Sequence, residues 1–173
     1  MKKYFRFILL YLFIVLPGAN AGILQNNYKF EAIYIYSFTK YISWPYHAIG
    51  NQFVIGVYGY SPISMELSTA TAGKQVGNKN IVVKVFNALE EIENCQVLFV
   101  TTEFENEIPE LTVLANSKHI LIVTQGQQMT QKGAGINLVK IDGKQKFELS
   151  ETILKNAGLK ISNQLLPLAI LVK

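Results

Sequence analysis

Val97-Leu-Phe-Val100 and Ile120-Leu-Ile-Val123, with helically spaced residues from Glu105 to Asn116 between them, decide the fold. Each run is short, apolar throughout and rich in branched side chains, as a strand covered on both faces requires. Two such runs joined by a helix form a βαβ unit with parallel strands. Working outward, similar runs recur at Phe53-Val-Ile-Gly-Val-Tyr58, Ile81-Val-Val-Lys-Val-Phe86 and Ile136-Asn-Leu-Val139, with helical material at Pro62 to Ala72 and a short turn near Ala88 to Glu93. Asp142-Gly143 separates Asn137-Leu-Val-Lys-Ile141 from Lys146-Phe-Glu-Leu149, which signals a tight hairpin. Ser150 is placed to cap a last helix through Asn156-Ala157, and Gly158 to end it. The expected fold is α/β: a single three-layer domain whose mostly parallel sheet of about five to six strands is made mixed by the C-terminal hairpin.

An extra N-terminal helix runs from about Asn27 to Ser43, where Trp44-Pro45 ends it. At about 100° per residue, Phe30, Ile33, Tyr34, Phe38, Tyr41 and Trp44 share one broad face, the expected core-facing stripe. Tyr28, Ala32, Ile35 and Tyr36 fall largely on the other side, where a surface helix is polar. Two explanations stand open. Either another helix or the segment Leu165-Leu-Pro-Leu-Ala-Ile-Leu171 covers that side, or Ile35 and Tyr36 are partner-binding residues on an exposed apolar patch.

The chain has 173 residues, of which 50% are hydrophobic and 16% charged, enough for a core and too little charge for disorder. Lys and Arg outnumber Asp and Glu by 16 to 12, yet Lys2, Lys3 and Arg6 all sit at the extreme N-terminus. Beyond them acid and base nearly balance. Arg6 is the only arginine, so the rest of the chain has no guanidinium fork for phosphate or guanine, which argues against nucleic acid as a partner. The basic start is followed by Phe7-Ile-Leu-Leu-Tyr-Leu-Phe-Ile-Val-Leu16, Pro17-Gly18 and Ala19-Asn20-Ala21, the order of a secretory signal peptide. Residues 1–21 are therefore expected to be cleaved and residues 22–173 to form the exported, periplasmic domain, the alternative being an uncleaved anchor.

Candidate chemistry is sparse. Cys95 is the only cysteine, so no intrachain disulfide forms, and a thiol beside a buried strand is a packing residue unless a histidine activates it. Where His47 and His119 lie relative to it is not legible in one dimension. Two histidines and one cysteine argue against a structural zinc site, and no metal or cofactor is expected. There is no Gly-x-Ser-x-Gly elbow, Walker loop or His-Glu-x-x-His, so no catalytic residue is assigned. Gly73-Lys-Gln-Val-Gly-Asn-Lys79 lacks phosphate-loop order and reads as a turn into the next strand. The carboxylates Glu90, Glu91, Glu93, Glu103, Glu105, Glu107 and Glu110 read as solvated. A small-ligand module would place its site at the carboxyl ends of the strands, in the loops after Tyr58, Val100 and Val123.

The stretch Phe30-Glu-Ala-Ile-Tyr-Ile-Tyr-Ser-Phe-Thr-Lys-Tyr-Ile-Ser-Trp-Pro45 resembles the opening helix of the YfiR family. The order of features continues through Ile55-Gly-Val-Tyr-Gly59, Ser61-Pro62, Gly73 to Gly77, Ile81-Val-Val83, Cys95-Gln-Val-Leu-Phe99, Gly135-Ile-Asn-Leu-Val139, Lys146-Phe-Glu148 and Ala157-Gly-Leu-Lys-Ile-Ser162. The resemblance implies a non-enzymatic periplasmic regulator that binds the periplasmic sensory domain of an inner-membrane diguanylate cyclase and inhibits it. An outer-membrane lipoprotein relieving that inhibition is a further implied partner. An input module for a membrane sensor kinase is the alternative, and homodimerisation stays open. Two departures matter: the disulfide cysteines of the family's best-understood member are missing, and Pro167 stands where a basic residue is common, which would bend a short helix from Ser162.

Overall fold

The computed structural model describes residues 28–172; the expected signal peptide at 1–21 lies outside them. In chain order the elements are α1 (Lys29–Tyr41), β1 (Ile42–Ser43), a 3-10 turn (Tyr46–Ala48), β2 (Phe53–Tyr58), α2 (Ile63–Thr71), β3 (Gln75–Val76), β4 (Lys79–Phe86), β5 (Val97–Val100), α3 (Ile108–Lys118), β6 (Leu121–Gln125), α4 (Met129–Lys132), β7 (Ile136–Ile141), β8 (Lys144–Leu149), α5 (Glu151–Asn156), β9 (Lys160–Ile161) and β10 (Ile170–Leu171).

The apolar runs become parallel neighbours. The main sheet has eight strands in the order β10-β8-β7-β6-β5-β2-β4-β3. β2, β4, β5, β6 and β7 pair in parallel, while β7 and β8 pair antiparallel. The two strands beyond the expected six are β3 and β10, edge pairings of two residues each, too short to leave an apolar run in the sequence. The hairpin turns where expected: Ile141 faces Lys144, and the two residues between, Asp142 and Gly143, have φ of 52° and 73°. Two left-handed residues in a two-residue loop match the twist of the flanking strands.

Three layers result. On one face α1, α2 and α5 pack Ile35, Phe38, Leu67 and Leu154 onto Phe53, Val97 and Leu138 of the sheet. On the other face α3 and α4 pack Ile108, Leu111 and Met129 onto Tyr58, Leu98 and Ile122.

The facing of α1 differs from expectation. Ile35 is fully buried together with Ala32, whereas Phe30 and Ile33, expected in the core, are 64% and 43% exposed. Phe38 and Trp44 are buried as expected, and Tyr34, Tyr36 and Tyr41 are half-buried. The physical reason is that α1 packs against α2 as well as the sheet, and Ala32 and Ile35 join Ile63 and Leu67 of α2 in one core cluster.

The helix also stops at Tyr41, before Ser43, because Ile42 is extended and pairs with Ile161 of β9. Ser150 precedes α5 but its hydroxyl makes no cap bond. No α-helix starts at Ser162: Pro167 sits in the first turn of a 3-10 segment, Leu166–Leu168, where a missing N–H costs nothing.

Candidate functional site

Trp44-Pro45, which follows β1, leads into the turn Tyr46–Ala48, and a buried amide holds that turn in place. Gln96, 1% exposed and immediately before β5, accepts the Val54 N–H on its side-chain oxygen at 2.7 Å and donates from its side-chain nitrogen to the Ala48 carbonyl at 2.7 Å. Its backbone carbonyl accepts the Trp44 indole N–H at 3.0 Å and the Leu121 N–H at 2.8 Å. Trp44 in turn stands edge-on to Phe53 at 5.0 Å. The 44–48 segment, β2 and β6 are thus joined at one glutamine beside β5. In the sequence, Gln96 reads only as a polar residue before an apolar run, with no signal for the role it takes.

The turn carries His47 toward His119. The two Nε2 atoms are 3.3 Å apart, and His119 Nδ1 lies 2.9 Å from the Ala157 carbonyl. His119 ends α3 in the left-handed region at φ 59°, which turns its ring toward the Tyr46–Ala48 segment. A hollow of about 470 Å³ is lined by both histidines together with Glu93, Asn94 and Cys95. The thiol takes no part in that array: it donates to the Val97 carbonyl at 3.0 Å, and burial pushes its pKa up to about 12. A buried neutral thiol is neither a nucleophile nor a ligand at neutral pH.

The carboxyl ends of the strands are uneven. After β2 and β5 they are filled by protein: Thr101 donates to the Tyr58 carbonyl at 2.9 Å and the Phe104 ring covers Tyr58 at 4.7 Å. The Tyr58 hydroxyl donates to Glu107 at 2.7 Å, and burial first, then this carboxylate, raises its pKa. After β6 there is room. A hollow of about 520 Å³ is lined by Gln125, Gly126, Gln128, Lys140, Gln145 and Glu148 among others. Beneath it Asn137 donates to Glu148 at 2.8 Å and to the Gly126 carbonyl at 2.9 Å, while Thr124 donates to Asn137 at 3.0 Å. Of the three loops expected to hold a ligand, only the one after Val123 lines this hollow.

Comparison with known families matches residues 28–170 to the YfiR/HmsC-like model. The chain belongs to the YfiR/HmsC-like family. No curated protein sequence matches it. Among solved structures, this YfiR/HmsC-like chain is similar to a conserved domain protein from Vibrio cholerae O1 biovar El Tor strain N16961, with a TM-score of 0.52 and 15% identity over 71% of the chain. The chain spans 55% of that protein, and the likeness is one of fold.

The outer face of this YfiR/HmsC-like protein places the expected partner-binding residues differently from one another. Ile35 is in the core, out of a partner's reach, and Tyr36 is half-buried with the Lys40 ammonium 4.6 Å above its ring. The exposed stripe of α1 is instead Phe30, Ile33 and Lys40, and Lys40 shares a hollow of about 590 Å³ with Tyr46, which is 93% exposed. Next to the stripe Glu31 is buried, with one oxygen 3.9 Å from the Lys140 ammonium. Among the described residues, no helix is long and apolar enough to cross a membrane.

Proposed function

We propose that this protein is an exported, periplasmic and non-enzymatic regulator, its signal peptide removed after Ala21, that binds the periplasmic sensory domain of an inner-membrane diguanylate cyclase and holds it inactive. Membership of the YfiR/HmsC-like family across residues 28–170 carries the reading. The surface offered for contact is the outer stripe of α1, Phe30 and Ile33, continued by Lys40 and Tyr46. Large apolar side chains at 64% and 43% exposure on a helix are the kind of anchor that a protein interface buries. An outer-membrane lipoprotein that competes for this protein would relieve the inhibition.

The test is co-purification with the periplasmic domains of the organism's membrane diguanylate cyclases, beginning with any encoded beside this chain, together with cyclic-di-GMP levels in a deletion strain. A stable complex and a raised nucleotide level are expected. No complex, with an unchanged level, would sink the reading. If the neighbouring gene encodes a sensor kinase, the same docking assay tests the input-module alternative.

A second reading, small-ligand binding, has one observation in its favour. The hollow after β6 sits over the Asn137 and Glu148 network and is lined by Gln125, whose side-chain oxygen is buried with no hydrogen-bond partner among the described residues. A polar ligand with a donor group there would raise the melting temperature of the wild type but not of Gln125→Leu.

A further inference from the structure

His47 and His119, the two histidines of the chain, are separated by 72 residues and meet with their Nε2 atoms 3.3 Å apart. We propose that this pair is a metal site, the two Nε2 atoms taking one transition-metal dication of the zinc or copper class, with water in the remaining positions. Zn–N bonds of about 2.0–2.1 Å at a tetrahedral angle hold two imidazole nitrogens about 3.3–3.4 Å apart, which is the separation found. The rings are crossed at 76° with centroids 5.1 Å apart, so they converge at their tips and do not stack.

The surroundings are those of an oriented ligand. A carbonyl only accepts, so the contact from Ala157 puts the ring hydrogen of His119 on Nδ1 and leaves the lone pair of the neutral ring on Nε2, facing His47. Gly158 leaves space for this ring: a Cβ there would stand 2.8 Å from Nδ1. On the other side, the hydrogen bond from Gln96 to Ala48 anchors the turn that carries His47. The shared hollow of about 470 Å³ has room for water; its wall carries one acid, Glu93, and one base, Lys118, whose ammonium is held by the Ile92 carbonyl at 2.9 Å, so the imidazole lone pairs and not local charge are what draw the ion. Without metal, His47 Nε2–H donates to His119. When metal binds, His47 changes tautomer through solvent: Nε2 gives its proton to water and Nδ1 takes one up from water, so the ring stays neutral, no net proton is released, and both Nε2 lone pairs reach the ion with no redox change.

No group of three or more His, Cys, Asp or Glu converges among the described residues. Two protein ligands make an exchangeable site, unlike a structural zinc with four. The site is independent of the regulatory reading, because its readout is metal and not receptor.

Isothermal titration of the tag-free chain with ZnCl2 in a non-coordinating buffer tests it, with Co2+ absorption as the geometric probe. One metal per chain and tetrahedral-intensity Co2+ bands are expected, with affinity falling by about tenfold or more in His47→Gln and in His119→Asn. Asn tolerates the left-handed backbone at 119, and should that variant still fail to fold, His47→Gln on an exposed side chain decides alone. Equal binding by wild type and His47→Gln, or no binding at millimolar Zn2+, would overturn the proposal and leave the pair a simple imidazole–imidazole hydrogen bond.

Discussion

The Trp44 indole N–H donates to the backbone carbonyl of Gln96 at 3.0 Å, joining the end of the first helix to the centre of the sheet across 52 residues. Trp44 is 8% exposed and packed on Phe53. Trp44→Ala therefore loses both packing and a buried hydrogen bond, and a destabilisation of about 3 to 5 kcal/mol is expected. Urea denaturation followed by circular dichroism measures it; an unchanged midpoint would mean that this contact does not hold α1.

Gln96→Ala isolates the side-chain half of the same node. It leaves the Val54 N–H and the Ala48 carbonyl without their partner. About 2 to 4 kcal/mol should be lost, because a buried polar group left unpaired carries the full cost of its desolvation. The 46–48 turn should also loosen, seen as faster amide exchange at the turn than in the rest of the chain.

On α1, substitutions two residues apart should have opposite consequences. Ile35→Asp places a charge in a site with no solvent access and should abolish cooperative unfolding. Ile33→Asp, alone or with Phe30→Asp, should keep the wild-type melting curve while weakening receptor binding by about 2 kcal/mol, the scale of an interface anchor. Normal folding with normal binding would remove the stripe from the interface.

Alkaline pH should unfold the protein earlier than its composition suggests. Cys95 ionises with a pKa of about 9.0 when unfolded and about 12 when folded, so above pH 9 the unfolded state holds fewer protons than the folded one. Stability is then complete below about pH 9 and falls as pH rises toward 12, and Tyr58, also raised, adds to the loss in the upper part of that window. Cys95→Ala should flatten the lower part of the decline in a denaturation series from pH 8 to pH 11. Thiol reagents should label Cys95 only after unfolding.

The six longer strands, their mostly parallel pairing and the hairpin were legible in the chain because each is a local pattern: an apolar run of strand length, a helical spacer, an Asp142-Gly143 pair with two positive φ angles. The family was legible for the same reason, its features being spread along nearly the whole sequence. The facing of α1 was not, since a helix apolar on both sides has two admissible orientations and its packing against α2 and against Phe147 of the sheet chooses between them. Gln96 and the histidine pair were also beyond the sequence. Hydrogen bonds from one side-chain amide to β2 and to the 46–48 turn, and two imidazole nitrogens brought within 3.3 Å, depend on the closure of the sheet, which places residues 72 positions apart at one end of neighbouring elements. Periodicity reports which face of an element is apolar; what that face meets is set by the packing of all the others.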